Sequence, residues 1–332
     1  MSRIYGKITG IGHYVPENVI TNHDLSQWMD TSDDWITERT GIKERRFITK
    51  GVDTVANMSA KAAQAAMERA GVSKEEVDFI ILATITPDYF FPGSGVLLQR
   101  ELGLERIGAL DIRNQCAGFV YAISIADQFI RSGMYKCILV AGAEIQSTAM
   151  ELSDAGRATA IIFGDGAGVA VVQASDKPGI YSTHLHADGR YAEELIMMDP
   201  GSSRPTRKYA EIDDVVGSLP YMNGNAVFKH AITLFPEVVE EALAANGYAT
   251  TDLDLLIPHQ ANLRITQAVG QKLGLEPHQV FSNIHKYGNT TAASIPIAMS
   301  EAWEEGKLQP GKLVCLASFG SGFAWASALL KW

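Results

Sequence analysis

Three residues of this chain could together carry out acyl transfer: Cys116 in DIRNQCAG, His259 in IPHQAN and Asn289 in HKYGNTTAASIP. A thiolate attacks thioesters readily, so a cysteine with a lowered pKa is a natural acyl acceptor. Cys116 follows the polar stretch from Asp111, and Ala117-Gly118 opens the apolar helical pattern of Val120 to Ile130. That places it at or near a helix N-terminus, where free backbone N–H groups and the positive dipole end favour the thiolate. Taken alone, Cys116 reads equally as a buried structural cysteine, the usual fate of a free thiol. Cys137 and Cys315 fit that ordinary fate, because both lie in apolar strand patterns. His259 stands at the end of an apolar run and alone reads as a hydrogen-bonded core histidine. Asn289 sits in a glycine-bearing turn before a helical pattern, where asparagine commonly caps or turns. The three gain meaning from occurring together.

Two glycine loops bear on the same chemistry. SFGSGF (318–323) follows a strand pattern, and its glycines let backbone N–H groups approach a reacting atom, as an oxyanion hole requires. FGDGAG (163–168) lies between apolar strands. Neither loop is a G-x-G-x-x-G followed by a helix, so nucleotide binding is a poor reading.

The elements that must position these residues alternate along the chain. Apolar runs at 80–82, 138–140, 169–172, 255–257 and 313–316 read as buried strands. Helical patterns cover Ala60 to Arg69, Ile123 to Ile130, Leu234 to Ala245 and Ile295 to Trp303. This alternation predicts a layered α/β architecture. The pattern also repeats. AMERAGVSKEEVD (66–78) lies on ALAANGYATTDLD (242–254) without a gap, and Leu-Gly-Leu-Glu recurs at 102–105 and 273–276. SIADQFIRSGMYKCILVAGAE (124–144) echoes SIPIAMSEAWEEGKLQPGKLVCLASFG (294–320). Repetition in the same order predicts a duplication, with a cleft between equivalent strand ends where groups from both halves meet. The boundary is expected near Gln173 to Pro178.

Composition narrows the classes. The chain has 332 residues, 46% hydrophobic and 20% charged, enough for a substantial core. A net charge of -10 argues against general nucleic-acid binding. An acidic protein partner would require a local basic patch. Three widely spaced cysteines form neither a disulfide framework nor a metal motif. The N-terminus lacks a signal-peptide pattern, and no apolar run is long enough to span a bilayer. The expected setting is the cytoplasm.

NQCAGF, PHQAN, YGNTTAASIP and FGSGFAW closely resemble 3-oxoacyl-[acyl-carrier-protein] synthase III, the initiating ketoacyl synthase group of the thiolase-fold family. RTGIKERR (39–46) and FGDGAG belong to the same pattern, and the resemblance runs from ITGIGHYVPEN to the C-terminus. It implies a thiolase-like α/β fold of duplicated halves in α-β-α-β-α layers. Residues 1–174 would carry the nucleophilic cysteine, and 175–332 the histidine and asparagine.

The resemblance further implies a triad of Cys116, His259 and Asn289. Elongating ketoacyl synthases use two histidines, so the asparagine favours the initiating branch. Backbone N–H groups of Cys116 and Ser321 would form the oxyanion hole, although many relatives have glycine at the Ser321 position. CoA would meet Trp35, Arg39 and Arg157, with Gly224 and Asn225 along the pantetheine tunnel. Lys229 and Arg264 would receive acyl carrier protein. Phe91 would reach the acyl pocket of a second subunit in a homodimer. The implied reaction joins an acyl-CoA primer, acetyl or another short acyl group, to malonyl-acyl carrier protein through an acyl-cysteine. It needs no metal or other cofactor, since the CoA thioester and the carrier's phosphopantetheine are substrates. A secondary-metabolism enzyme of the same family, taking longer or unusual acyl donors, remains the nearest alternative. A degradative thiolase would need a second reactive cysteine. A silent acyl-binding scaffold or a cysteine hydrolase would differ in covalent loading or in product.

Overall fold

The computed structural model describes residues 4–198, 201 and 219–332. The chain opens with β1 (Tyr5–Tyr14), β2 (Asn18–Thr21), α1 (Asn22–Leu25), α2 (Asp33–Thr40) and β3 (Glu44–Phe47). There follow α3 (Val55–Ala70), β4 (Phe79–Ala83), α4 (Ser94–Glu101), β5 (Gly108–Ile112), α5 (Gly118–Arg131) and β6 (Cys137–Glu144). Then come α6 (Arg157–Ala160), β7 (Gly166–Ser175), β8 (Ile180–Ala187), β9 (Leu195–Ile196) and β10 (Tyr221–Met222). The remainder is α7 (Gly224–Ala245), β11 (Leu255–Pro258), α8 (Leu263–Lys272), α9 (Ile284–Tyr287), α10 (Ser294–Glu304), β12 (Leu313–Gly320) and β13 (Ala324–Lys331).

Two sheets organise these elements. The first runs β1-β7-β6-β4-β5 and the second β11-β12-β13-β8. Read from the other side, the second is β8-β13-β12-β11, so each sheet has two antiparallel neighbours leading into parallel strands. Every residue of β4, β6, β11 and β12 is buried, which explains their near-continuous apolar sequences: helices cover both faces. One core packs α5 and α10 between the two sheets. A second packs α3 and α4 on the outer face of the first sheet, and a third packs α7 and α8 on the outer face of the second. The layers are therefore α-β-α-β-α.

The repeated sequence folds twice with the same devices. α3 ends on Gly71 and α7 runs into Gly247, both left-handed (φ 65° and 73°), where a side chain would be strained. A short helical turn follows each, at Lys74–Glu76 and Thr250–Asp252. The acidic residue that starts the next strand then clamps a neighbour: Asp78 accepts the Cys137 N–H at 3.1 Å, and Asp254 accepts the Leu313 N–H at 2.8 Å. β7 continues to Ser175, so part of the polar stretch expected between the halves is strand. FGDGAG likewise enters β7 at Gly166, and only its first half is loop.

Candidate active site

Cys116 occupies a short helical turn, Gln115–Ala117, that leads directly into α5. Gln115 just before it has φ 42°, an uncommon conformation for a residue with a side chain. The turn abuts the end of β12. A Cβ built on Gly320 would lie 2.6 Å from Cys116 Cβ and 2.9 Å from Sγ, so only glycine fits there. The backbone N–H groups of Cys116 and Ser321 both act on the thiol. The two donors expected to form an oxyanion hole therefore converge on this sulfur.

His259 follows the last residue of β11, and its N–H donates to Ala317 of β12 at 2.8 Å. Pro258 pairs with Ala317, three residues before the Gly320 that contacts Cys116, so histidine and cysteine share one end of the second sheet. The ring Nδ1 lies 2.6 Å from Ser294 Oγ. That hydroxyl also accepts the Gln260 N–H at 3.4 Å, and its own proton can be given to Nδ1, the tautomer in which Nε2 carries the ring proton. Nε2 is buried and without a hydrogen-bond partner among the described residues. An unpaired donor in the interior is costly, and such groups recur where a ligand completes the bond.

Asn289 connects the halves. Its N–H donates to Ile162 at 2.8 Å, and its carbonyl accepts the Gly164 N–H at 3.1 Å. Its Oδ1 accepts the Thr291 N–H at 2.9 Å, which fixes the amide and presents Nδ2 as the donor end. Thr291 has φ 50°, a strained value for a β-branched residue, and opens the turn Thr291–Ala293 that packs against the turn of Cys116.

A second group lies on the flank. Ser32 caps α2, accepting the Trp35 N–H at 3.2 Å. Arg39, one turn on, sets its guanidinium 4.4 Å from the Trp35 ring centre, and Arg157 from α6 comes within 5.4 Å. Two cations thus flank one indole, which suits an adenine ring and phosphates. Asn262 Nδ2 donates to the Arg39 carbonyl at 3.0 Å while its Oδ1 caps α8. The short PHQAN motif therefore carries His259 at one end and braces the Trp35–Arg39 helix at the other.

Gly224 and Asn225 open α7 and are exposed. Arg264 on α8 lies 5.8 Å over the Phe228 ring of α7, next to exposed Lys229, so the two expected carrier-protein cations sit on adjoining helices. Phe91 stands apart, 81% exposed within the single chain.

The sequence from 110 to 189 matches the 3-Oxoacyl-[acyl-carrier-protein (ACP)] synthase III family, and 243–332 matches its C-terminal family. A Xanthomonas euvesicatoria beta-ketoacyl-[acyl-carrier-protein] synthase III is 47% identical over 330 residues, 99% of each chain. The chain belongs to the 3-oxoacyl-[acyl-carrier-protein] synthase III family. It is an acyltransferase with the thiolase-like fold of that family. A synthase III crystal structure from Aquifex aeolicus superposes with TM-score 0.90 at 43% identity, covering 98% of this chain and 100% of the other. The priming ketosynthase of the R1128 polyketide pathway superposes with TM-score 0.91 at 33% identity, covering 99% and 97%.

Within this synthase III framework, electrostatics correct one expectation. The helix N-terminus was expected to favour a thiolate. Burial, with a smaller push from Glu144, instead raises the Cys116 thiol to about 12, against the pull of the two N–H groups. Burial alone lowers His259 to about 3. Burial thus favours the uncharged form of both the cysteine and the histidine. Ser321 is held by its own hydroxyl, which donates to Leu195 O at 2.5 Å. Ser294, Gln146 and Glu144 escaped the sequence reading, since single Ser, Gln and Glu residues in apolar surroundings carry no motif. Only Ser294 left a trace, within TTAASIP. Among the described residues no cluster of His, Cys, Asp or Glu could hold a metal, and no helix is long and apolar enough to cross a membrane.

Proposed function

We propose that this enzyme carries out the initiating decarboxylative condensation of fatty acid synthesis, through an acyl group held on Cys116. The convergence of the Cys116 and Ser321 N–H groups on a sulfur at the start of α5 is the observation that carries this reading. Cys116 attacks the thioester of an acyl-CoA, acetyl or another short primer. The two N–H groups hold the tetrahedral oxyanion and CoA departs, leaving an acyl-enzyme. Malonyl-acyl carrier protein then binds. His259 Nε2 and Asn289 Nδ2 donate to its thioester oxygen, stabilising the enolate formed as carbon dioxide leaves. The carbanion attacks the acyl carbon and expels Cys116, releasing 3-oxoacyl-carrier protein in a ping-pong cycle. No cofactor enters these steps.

The Trp35, Arg39 and Arg157 cluster supports a CoA nucleotide site, with Gly224 and Asn225 beside the pantetheine arm. Lys229 and Arg264 would receive the carrier protein. Exposed Phe91 supports a homodimer in which it reaches the partner's acyl pocket. We take residues 1–174 and 175–332 as the two halves. Three free cysteines support a reducing, cytoplasmic setting. Likeness to a polyketide priming ketosynthase favours one second reading, a secondary-metabolism primer with the same triad. Replacing Cys116 by alanine tests the proposal: acyl transfer from acyl-CoA should disappear, and transfer persisting at the wild-type rate would sink the assignment.

A further inference from the structure

Glu144 ends β6 and is fully buried. Thr86 Oγ1 donates to its carboxyl at 2.7 Å and Thr84 Oγ1 at 3.3 Å. The Ile85 N–H lies 3.2 Å from the same oxygen, and the nearby Ala292 N–H also favours the charged carboxylate. Both threonine hydroxyls already accept a backbone N–H, Thr84 from Thr86 at 3.1 Å and Thr86 from Ile145 at 2.8 Å. Their own protons are thus free to turn toward Glu144, a setting that suits a carboxylate. All these donors are neutral, so the charge that Glu144 takes up is balanced only by dipoles.

The same donors tie Glu144 to the condensing residues. Ala292 belongs to the turn that follows Asn289 and packs on the turn of Cys116. Its carbonyl lies 2.3 Å from where a Cβ on Gly142 would be, and its own Cβ lies 3.6 Å from the same point on Gly118. Gln146, two residues past Glu144, donates to Thr291 Oγ1 at 2.8 Å. The end of β6 therefore grips both sides of the strained Thr291–Ala293 turn. Cys116 feels the charge as well, for Glu144 opposes its ionisation.

We propose that Glu144 is a positioning residue of the condensation, clamping the turn after Asn289 against the nucleophile's turn and setting its negative charge against that of the Cys116 thiolate. This rests on Cys116 being the nucleophile, and the test reads the thiol itself so that the two ideas fail separately. Burial raises Glu144 to about 7, so it gains its charge near neutrality. His259, at the same sheet end, is lowered to about 3 and changes no charge in that window.

The experiment is the rate of Cys116 alkylation by iodoacetamide, followed by peptide mass spectrometry between about pH 5 and 9. In the wild type, log rate should rise with pH, flatten near neutrality as Glu144 ionises, then rise again on a line displaced roughly tenfold lower, the effect of one like charge. Glu144→Gln should give a single line continuing the low-pH limb, and Glu144→Asp should keep the break. Buried Cys137 and Cys315 should stay unlabelled, reporting intact folding. If Glu144→Gln fails to fold, the wild-type break alone decides. A wild-type line straight through neutrality, or a break that persists in Glu144→Gln, overturns the proposal. Acyl-CoA adduct formation on the same samples reports separately on Cys116 as nucleophile.

Discussion

At the scale of single residues, the proposed chemistry divides between two donor pairs. The N–H groups of Cys116 and Ser321 serve the acyl carbonyl, and His259 with Asn289 serve the malonyl thioester. Asn289→Ala should lower the rate of malonyl decarboxylation by about a hundredfold or more, the usual cost of one oxyanion donor, while acyl loading from CoA changes little. Single-turnover measurements of the two half-reactions check this; equal losses in both would contradict the division of labour. In the sequence Cys116, His259 and Asn289 each had an ordinary reading and stood out only as a set. Their protonation was not legible there. A helix N-terminus can be inferred from DIRNQCAG, but the burial that raises the thiol to about 12 comes with the packing of Gly320, at the end of β12, against Cys116. That contact joins residues roughly two hundred positions apart, and no local pattern reports it.

At the scale of elements, strands and helices were read well where burial dictates composition. β4, β6, β11 and β12 are buried on both faces, so their sequences are almost unbroken apolar runs. The start of α7 was missed by the periodic pattern, which suggested Leu234, because its first ten residues from Gly224 are partly exposed and mixed in character. That first stretch carries the expected carrier-protein surface. Lys229 and Arg264 lie on adjoining helices of a chain whose net charge is -10, and under the proposed function they would supply local attraction for an acidic partner. Lys229→Glu with Arg264→Glu should raise KM for malonyl-carrier protein about tenfold or more at low salt, with acyl-CoA kinetics nearly unchanged. The difference should shrink as salt rises. A loss that is equal for both substrates would place these cations elsewhere in the mechanism.

For the whole molecule, duplication was legible because the same turn residues recur in order, and the two sheets reproduce that order in space. Mutual placement of the halves was not legible, since the layer of α5 and α10 that joins them is specified by packing rather than by motif. Buried ionisable groups leave a trace on global stability. The unfolded chain protonates His259 near the ordinary value of 6.5, whereas the folded chain refuses that proton until about 3. Stability from this residue is complete above 6.5 and falls as pH drops toward 3, at up to roughly 1.4 kcal/mol per pH unit. Chemical denaturation from neutral to mildly acidic pH should show His259→Gln with a shallower acid limb than the wild type. Parallel limbs would mean that the buried histidine titrates normally.

The most direct test of the central claim is intact-protein mass after incubation with acetyl-CoA and a panel of other acyl-CoAs, followed by malonyl-acyl carrier protein. A single short acyl adduct on Cys116, discharged as 3-oxoacyl-carrier protein, is the predicted result. No adduct from any donor, or an adduct on another residue, would contradict it.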